Sequence, residues 1–143
     1  HPLLCSDAFE LGEYCWRRGH PYRSLPAISS IDGVISALHD HPEVLTGGFT
    51  VYEAQNLLDR NRPMVTDEAY IILCVENIVK NGRFPALQRL IAATYPGSHG
   101  FYGVKCGDGR EPAVLLPGRV KDLGRWAGRI EHMMSLVLPG LGH

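Results

Sequence analysis

The chain has 143 residues, 45% hydrophobic and 20% charged, a length and balance that suit one globular domain and exclude a disordered chain. Fourteen Lys and Arg stand against fifteen Asp and Glu, so the net charge is −1 and the basic excess of a bulk nucleic-acid binder is missing. No apolar run approaches the roughly 20 residues that a membrane-spanning helix needs.

Helix signals dominate the first two thirds of the chain. Asp7 and Glu10 make a capping pattern that opens a helix over Asp7–Arg18, with Gly19 as its stop. Ile31, Val34, Ile35 and Leu38 recur at helical spacing, with Ser29 or Ser30 as cap and Pro42 beyond the end. Thr50 and Glu53 read as a capping box ahead of Val51, Ala54, Leu57 and Leu58. Thr66 caps a longer segment, Asp67–Lys80, that is apolar on nearly every side and is expected to form the central buried helix. Pro85 opens a further helix through Thr94.

The period then changes. Phe101–Cys106 and Ala113–Leu116 read as two strands joined across Gly107-Asp108-Gly109. Val120, Leu123, Trp126, Ile130, Met133 and Val137 mark a last amphipathic helix. The expected architecture is one mainly α (α+β) domain over residues 1–143, compact and helical, with one β-hairpin before the last helix.

Four cysteines, Cys5, Cys15, Cys74 and Cys106, show no CxxC and no zinc-ligand spacing, so no metal or cofactor is expected. Cys74 lies within Ile71-Ile72-Leu73-Cys74-Val75 and reads as a buried thiol acting as a small hydrophobe. No basic stretch followed by an apolar run opens the chain, and a cytoplasmic, reducing compartment is expected, with a secreted, disulfide-bonded form as the alternative.

Two sequence features carry candidate chemistry. In Gly12-Glu13-Tyr14-Cys15-Trp16 a cysteine precedes an aromatic ring, as many papain-like nucleophiles do, and His99 before the first hairpin strand is a partner base. A helix C-terminus, however, raises a thiol's pKa, and Ala8, Leu11 and Cys15 share one face, which favours a core thiol. His39-Asp40-His41-Pro42-Glu43 collects metal-ligand types, but alternating histidines point apart on a helix, so a solvated helix end is expected. Gly107-Asp108-Gly109-Arg110 lacks the Lys-Ser/Thr of a phosphate loop and reads as the hairpin turn. Arg17-Arg18 and Arg60-Asn61-Arg62 read as solvated faces.

From about Leu25 to Gly142 the order of elements resembles the cysteine-protease domain of potyvirus helper-component proteinases. The resemblance rests on Pro63-Met64-Val65-Thr66-Asp67-Glu68-Ala69 opening a long apolar helix, on Arg83 followed by Leu87-Gln88-Arg89-Leu90-Ile91, on the hairpin, on Val114 to Leu123, and on the glycine-ended tail. It implies a papain-like viral leader protease that cuts a viral polyprotein at its own C-terminal glycine. The implied partner is a peptide, its own tail Leu138 to Gly142, in host cytoplasm. The family's nucleophile position falls near Ala27 and its histidine position at Ala113, which leaves an inactive relative, an engineered mutant, or a register in which Cys15 and His99 are catalytic. A non-catalytic helical interaction domain and a secreted disulfide-bonded effector are the alternatives.

Overall fold

The computed structural model describes residues 6–23, 29–60, 63–106 and 112–142. Cys5, Ala27 and the turn Gly107-Asp108-Gly109-Arg110 lie outside the described residues, as do Asn61 and Arg62. The chain forms α1 (Ser6–Arg17), α2 (Ser30–Ala37), a 3-10 turn (Pro42–Val44), β1 (Phe49–Glu53) and α3 (Ala54–Asp59). It continues with β2 (Ala69–Leu73), α4 (Val75–Lys80), α5 (Phe84–Thr94), β3 (Gly100–Lys105), β4 (Val114–Arg119), a 3-10 helix (Val120–Gly128) and β5 (Met134–Leu138).

Five strands form one mixed sheet in the order β1-β2-β5-β3-β4. Strands β1 and β2 are parallel, and the other neighbours are antiparallel. The protein is therefore an α/β fold built on a central sheet, and the mainly helical architecture expected from periodicity is overturned. The hairpin of β3 and β4 is where the sequence placed it, but it is two fifths of the sheet rather than an appendage to a helical core.

Strand β2 explains most of the difference. Ala69, Tyr70, Ile71 and Ile72 are all buried, because the sheet is covered on both faces. Tyr70 and Ile72 pack with α3, α4, α5 and the long 3-10 helix, whereas Ile71 faces Val34 of α2 and Leu38 just past its end. A strand buried on both sides reads as a continuous apolar run, which periodicity alone cannot separate from a buried helix. The expected helix Asp67–Lys80 is thus a strand, one left-handed residue and a six-residue helix. That left-handed residue is Cys74 (φ 56°, ψ 37°), exposed at the tip of β2 rather than buried in a helix.

Two helix starts contrast instructively. Ser29 caps α2 with a complete capping box: its Oγ accepts from the Asp32 amide at 3.2 Å, and its own amide donates to Asp32 Oδ2 at 2.7 Å. Thr50 does nothing of the kind. It sits inside β1, and its hydroxyl donates across to Glu68 Oε2 at 2.8 Å. Helix α3 starts only after Glu53, without a side-chain cap.

The expected last helix also divides. Val120, Leu123 and Trp126 recur every three residues, the period of a 3-10 helix, and all three are buried. Trp126 lies edge-on to Phe101, with ring centroids 4.8 Å apart, and presses on the hairpin where Gly103 and Gly118 leave room. A Cβ on Gly118 would come within 2.5 Å of Phe101 and 2.8 Å of Trp126. The chain then turns and returns as β5, every residue of which is buried between β2 and β3.

The tail does not lie in a groove as a cleaved product. Leu138 is the last residue of β5, paired with Tyr70. Beyond it the Leu141 amide donates to the Thr66 carbonyl at 2.6 Å. Among the described residues no helix is long and apolar enough to cross a membrane.

Candidate functional site

The register places the carboxyl ends of β1, β2 and β3 and the start of β5 at one end of the sheet. In open α/β sheets ligands bind outside the carboxyl ends of strands, where topology changes direction. Here the parallel pair β1 and β2 ends together at Glu53 and Leu73, with the start of β5 alongside.

Two non-glycine residues have positive φ among the described residues, Cys74 (56°) and Met133 (64°). Cys74 follows β2 and Met133 precedes β5, its antiparallel neighbour, so both lie at this same end. Left-handed backbone at a residue with a Cβ costs free energy and concentrates where a site demands it. Both side chains are exposed.

Charged groups surround this end. Glu76, on the first turn of α4, is buried, with a side chain only 11% exposed. Its Oε1 lies 3.5 Å from Nδ1 of the exposed His132, and its Oε2 has no hydrogen-bond partner among the described residues. A buried carboxylate oxygen left unsatisfied is costly, which sets Glu76 apart from the paired carboxylates around it. Lys105 Nζ, at the end of β3, pairs with Glu131 Oε2 at 2.6 Å. Glu53, Gln55, Asn77, Lys80 and Asn81 line an adjoining recess of about 270 Å³. Cys106, next after β3, donates to the Ser30 carbonyl at 3.5 Å, and burial pushes its thiol pKa up.

The residues singled out from the sequence lie elsewhere. Cys15 is half buried on α1. His99, between α5 and β3, stacks on Tyr95 at 4.7 Å, and its Nε2 meets the Pro139 carbonyl at 3.0 Å, so it ties the end of β5 to the loop before β3. His39 and His41 are splayed: His39 Nε2 pairs with Asp40 at 3.0 Å, and His41 Nδ1 with Glu43 at 3.4 Å. Among the described residues no three His, Cys, Asp or Glu gather as a metal site. Glu76, His132, Met133 and the turn at Cys74 were missed. The one signal for them was the brevity of the β-branched run Ile71-Ile72 before Cys74 and the polar Glu76-Asn77, which suits a strand better than a long helix.

No family model matches the chain, and no curated protein matches it. Solved structures do. A uroporphyrin-III-C-methyltransferase from Thermus thermophilus superposes with a TM-score of 0.67 at 16% identity, covering 96% of this chain and 56% of that one. The native form of the Thermus thermophilus enzyme gives 0.61 at 14% identity, covering 96% and 59%. Its complex with S-adenyl homocysteine gives 0.62 at 14% identity, again covering 96% and 59%. The chain thus spans a little under three fifths of these enzymes, and it shares their fold.

This likeness overturns the resemblance to potyvirus helper-component proteinases, and with it the papain-like viral leader protease. The five-stranded sheet also removes the basis for a helical interaction domain. Cys15 and Cys106 are free thiols, which removes the fully disulfide-bonded effector. The tail Leu138 to Gly142 is structural, not a bound peptide substrate: it completes β5 and fastens the Thr66 loop.

Proposed function

We propose that this chain is the part of an S-adenosylmethionine-dependent methyltransferase that forms one wall of the cofactor site, at the sheet end marked by Cys74 and Met133. The observation that carries this reading is the likeness, over 96% of the chain, to an enzyme solved with S-adenyl homocysteine. The donor set suits such a ligand. Its ammonium group and ribose hydroxyls need carboxylate acceptors, and Glu76 holds a buried Oε2 with no partner among the described residues. Its thioether and purine need soft, apolar surface, and Met133 is exposed beside the Cys74 turn.

When bound, the cofactor supplies a methyl group on a positively charged sulfur, open to attack by a nucleophilic substrate atom. The chain's own task is to bind and orient. The left-handed turns at Cys74 and Met133 hold backbone and side chains at the mouth of the site, and Glu76, steadied by His132, fixes the polar end of the ligand.

Protection of Cys74 tests the proposal. S-adenosylhomocysteine at saturation is expected to slow alkylation of Cys74 and leave Cys15 unchanged, with Glu76→Gln weakening protection about 10-fold, the worth of one charge-assisted hydrogen bond. Unchanged labelling of Cys74 at millimolar S-adenosylhomocysteine overturns it.

A further inference from the structure

At the other end of the sheet lies an open cleft of about 600 Å³ between the β3–β4 hairpin and the 3-10 helix. Arg119, Arg125 and Arg129 line it, with Asp122 as the one acidic lining residue. We propose that this cleft binds a small ligand carrying two or more oxyanion groups, phosphates or carboxylates, through these three arginines. The inference is independent of the methyltransferase reading, because Gly100 and Arg119 are paired at the end of the sheet remote from Cys74.

Charge is unevenly distributed along the chain. The whole chain has a net charge of −1, yet the cleft lining holds Arg119, Arg125 and Arg129 against Asp122, a local charge of +2. Like charges gathered on one surface repel, and an anion relieves that repulsion.

Two of the guanidinium groups are held by uncharged partners. Arg119 donates through Nη1 to the Ser98 carbonyl at 2.7 Å, a neutral partner that orients it without cancelling its charge. Arg129 stands over the Trp126 ring, 5.0 Å from its centroid, a cation–π contact with the same property. Arg125 meets Asp122 only at 3.6 Å, and its side chain is 87% exposed. Trp126 is itself wedged on Gly103 and Gly118, so Arg129 rests on a rigid floor. Arg119 and Arg129 are planar forks held in advance, which suits bidentate oxyanion recognition with less ordering lost on binding, while Arg125 is free to close on the ligand.

A cleft of this volume matches small-molecule sites. Single-stranded nucleic acid needs a run of exposed aromatic faces for base stacking, whereas Phe101 and Trp126 are buried and the half-buried Tyr102 is the third aromatic residue of the lining.

Isothermal titration of the full chain with inorganic pyrophosphate, citrate and a poly-dT oligonucleotide decides the matter. Saturable binding of pyrophosphate or citrate is expected with Kd below about 1 mM, and whichever binds tighter identifies phosphate or carboxylate as the natural group. Arg125→Ala and Arg129→Ala should each weaken it about 10-fold, whereas Arg89→Ala, an exposed arginine on α5, should not. All three variants should keep the wild-type circular dichroism spectrum. Binding of the oligonucleotide alone, no binding of either small anion, or equal loss in Arg89→Ala overturns the proposal.

Discussion

At the scale of single residues, the buried groups without partners make the sharpest statements. The Tyr95 hydroxyl is buried with no hydrogen-bond partner among the described residues, and burial pushes its pKa up to about 12. An unsatisfied hydroxyl is a cost that phenylalanine does not carry, so Tyr95→Phe should raise stability at neutral pH by about 1 kcal/mol in urea unfolding. The pH dependence follows from the same burial. Because the folded pKa lies above the ordinary tyrosine value, the neutral ring's contribution is complete below pH 10 and is lost as pH rises through about 12. The Tyr95→Phe variant should therefore lose less stability over that window. The cysteines differ in the same sense. Cys74, exposed on its turn, should label readily with a thiol reagent, whereas the Cys106 thiol, held neutral by burial, should need a pH above the ordinary thiol range. Equal rates for the two at neutral pH would refute the placement of β2 and its turn.

At the scale of elements, local capping succeeded where side chain and backbone satisfy each other within four residues. Ser29→Ala breaks a complete capping box and should cost about 1 kcal/mol, read as a lower thermal midpoint. Thr50 and Glu53 have the same pattern but serve other partners, Glu68 and Asn56. Thr50→Ala should therefore leave the helical signal in circular dichroism unchanged. The 3-10 helix depends on one side chain. Trp126→Ala should cost about 3–5 kcal/mol, since it empties the space between the helix and the hairpin. Gly103→Ala, which drives a methyl into the same ring, should cost about 1–3 kcal/mol through overpacking. If Gly103→Ala unfolds at the wild-type urea midpoint, Trp126 does not pack against the hairpin.

At the scale of the whole molecule, β5 closes the fold. It is the last strand in sequence and the middle strand in space, with β2 on one side and β3 on the other. A chain cut after Met133 should lose cooperative unfolding altogether, because β1–β2 and β3–β4 would then share no strand. Removal of Leu141 and Gly142 should be far milder, costing one backbone hydrogen bond to Thr66 and little burial.

What the sequence determined by itself was whatever depends on neighbours in the chain: the capping box at Ser29, the Pro85 helix, the hairpin and the first half of the stripe from Val120 to Val137, the second half of which is strand β5. Those features are set by hydrogen bonds and side-chain periods within a few residues. What only the tertiary structure decided was the identity of the two central strands and the candidate site at their ends. Ala69–Leu73 and Met134–Leu138 are covered on both faces by parts of the chain far away in sequence, which erases the alternation that marks a strand. The positions of Cys74, Glu76, His132 and Met133 follow from that pairing alone, since β2 and β5 lie about sixty residues apart and meet only in the folded sheet.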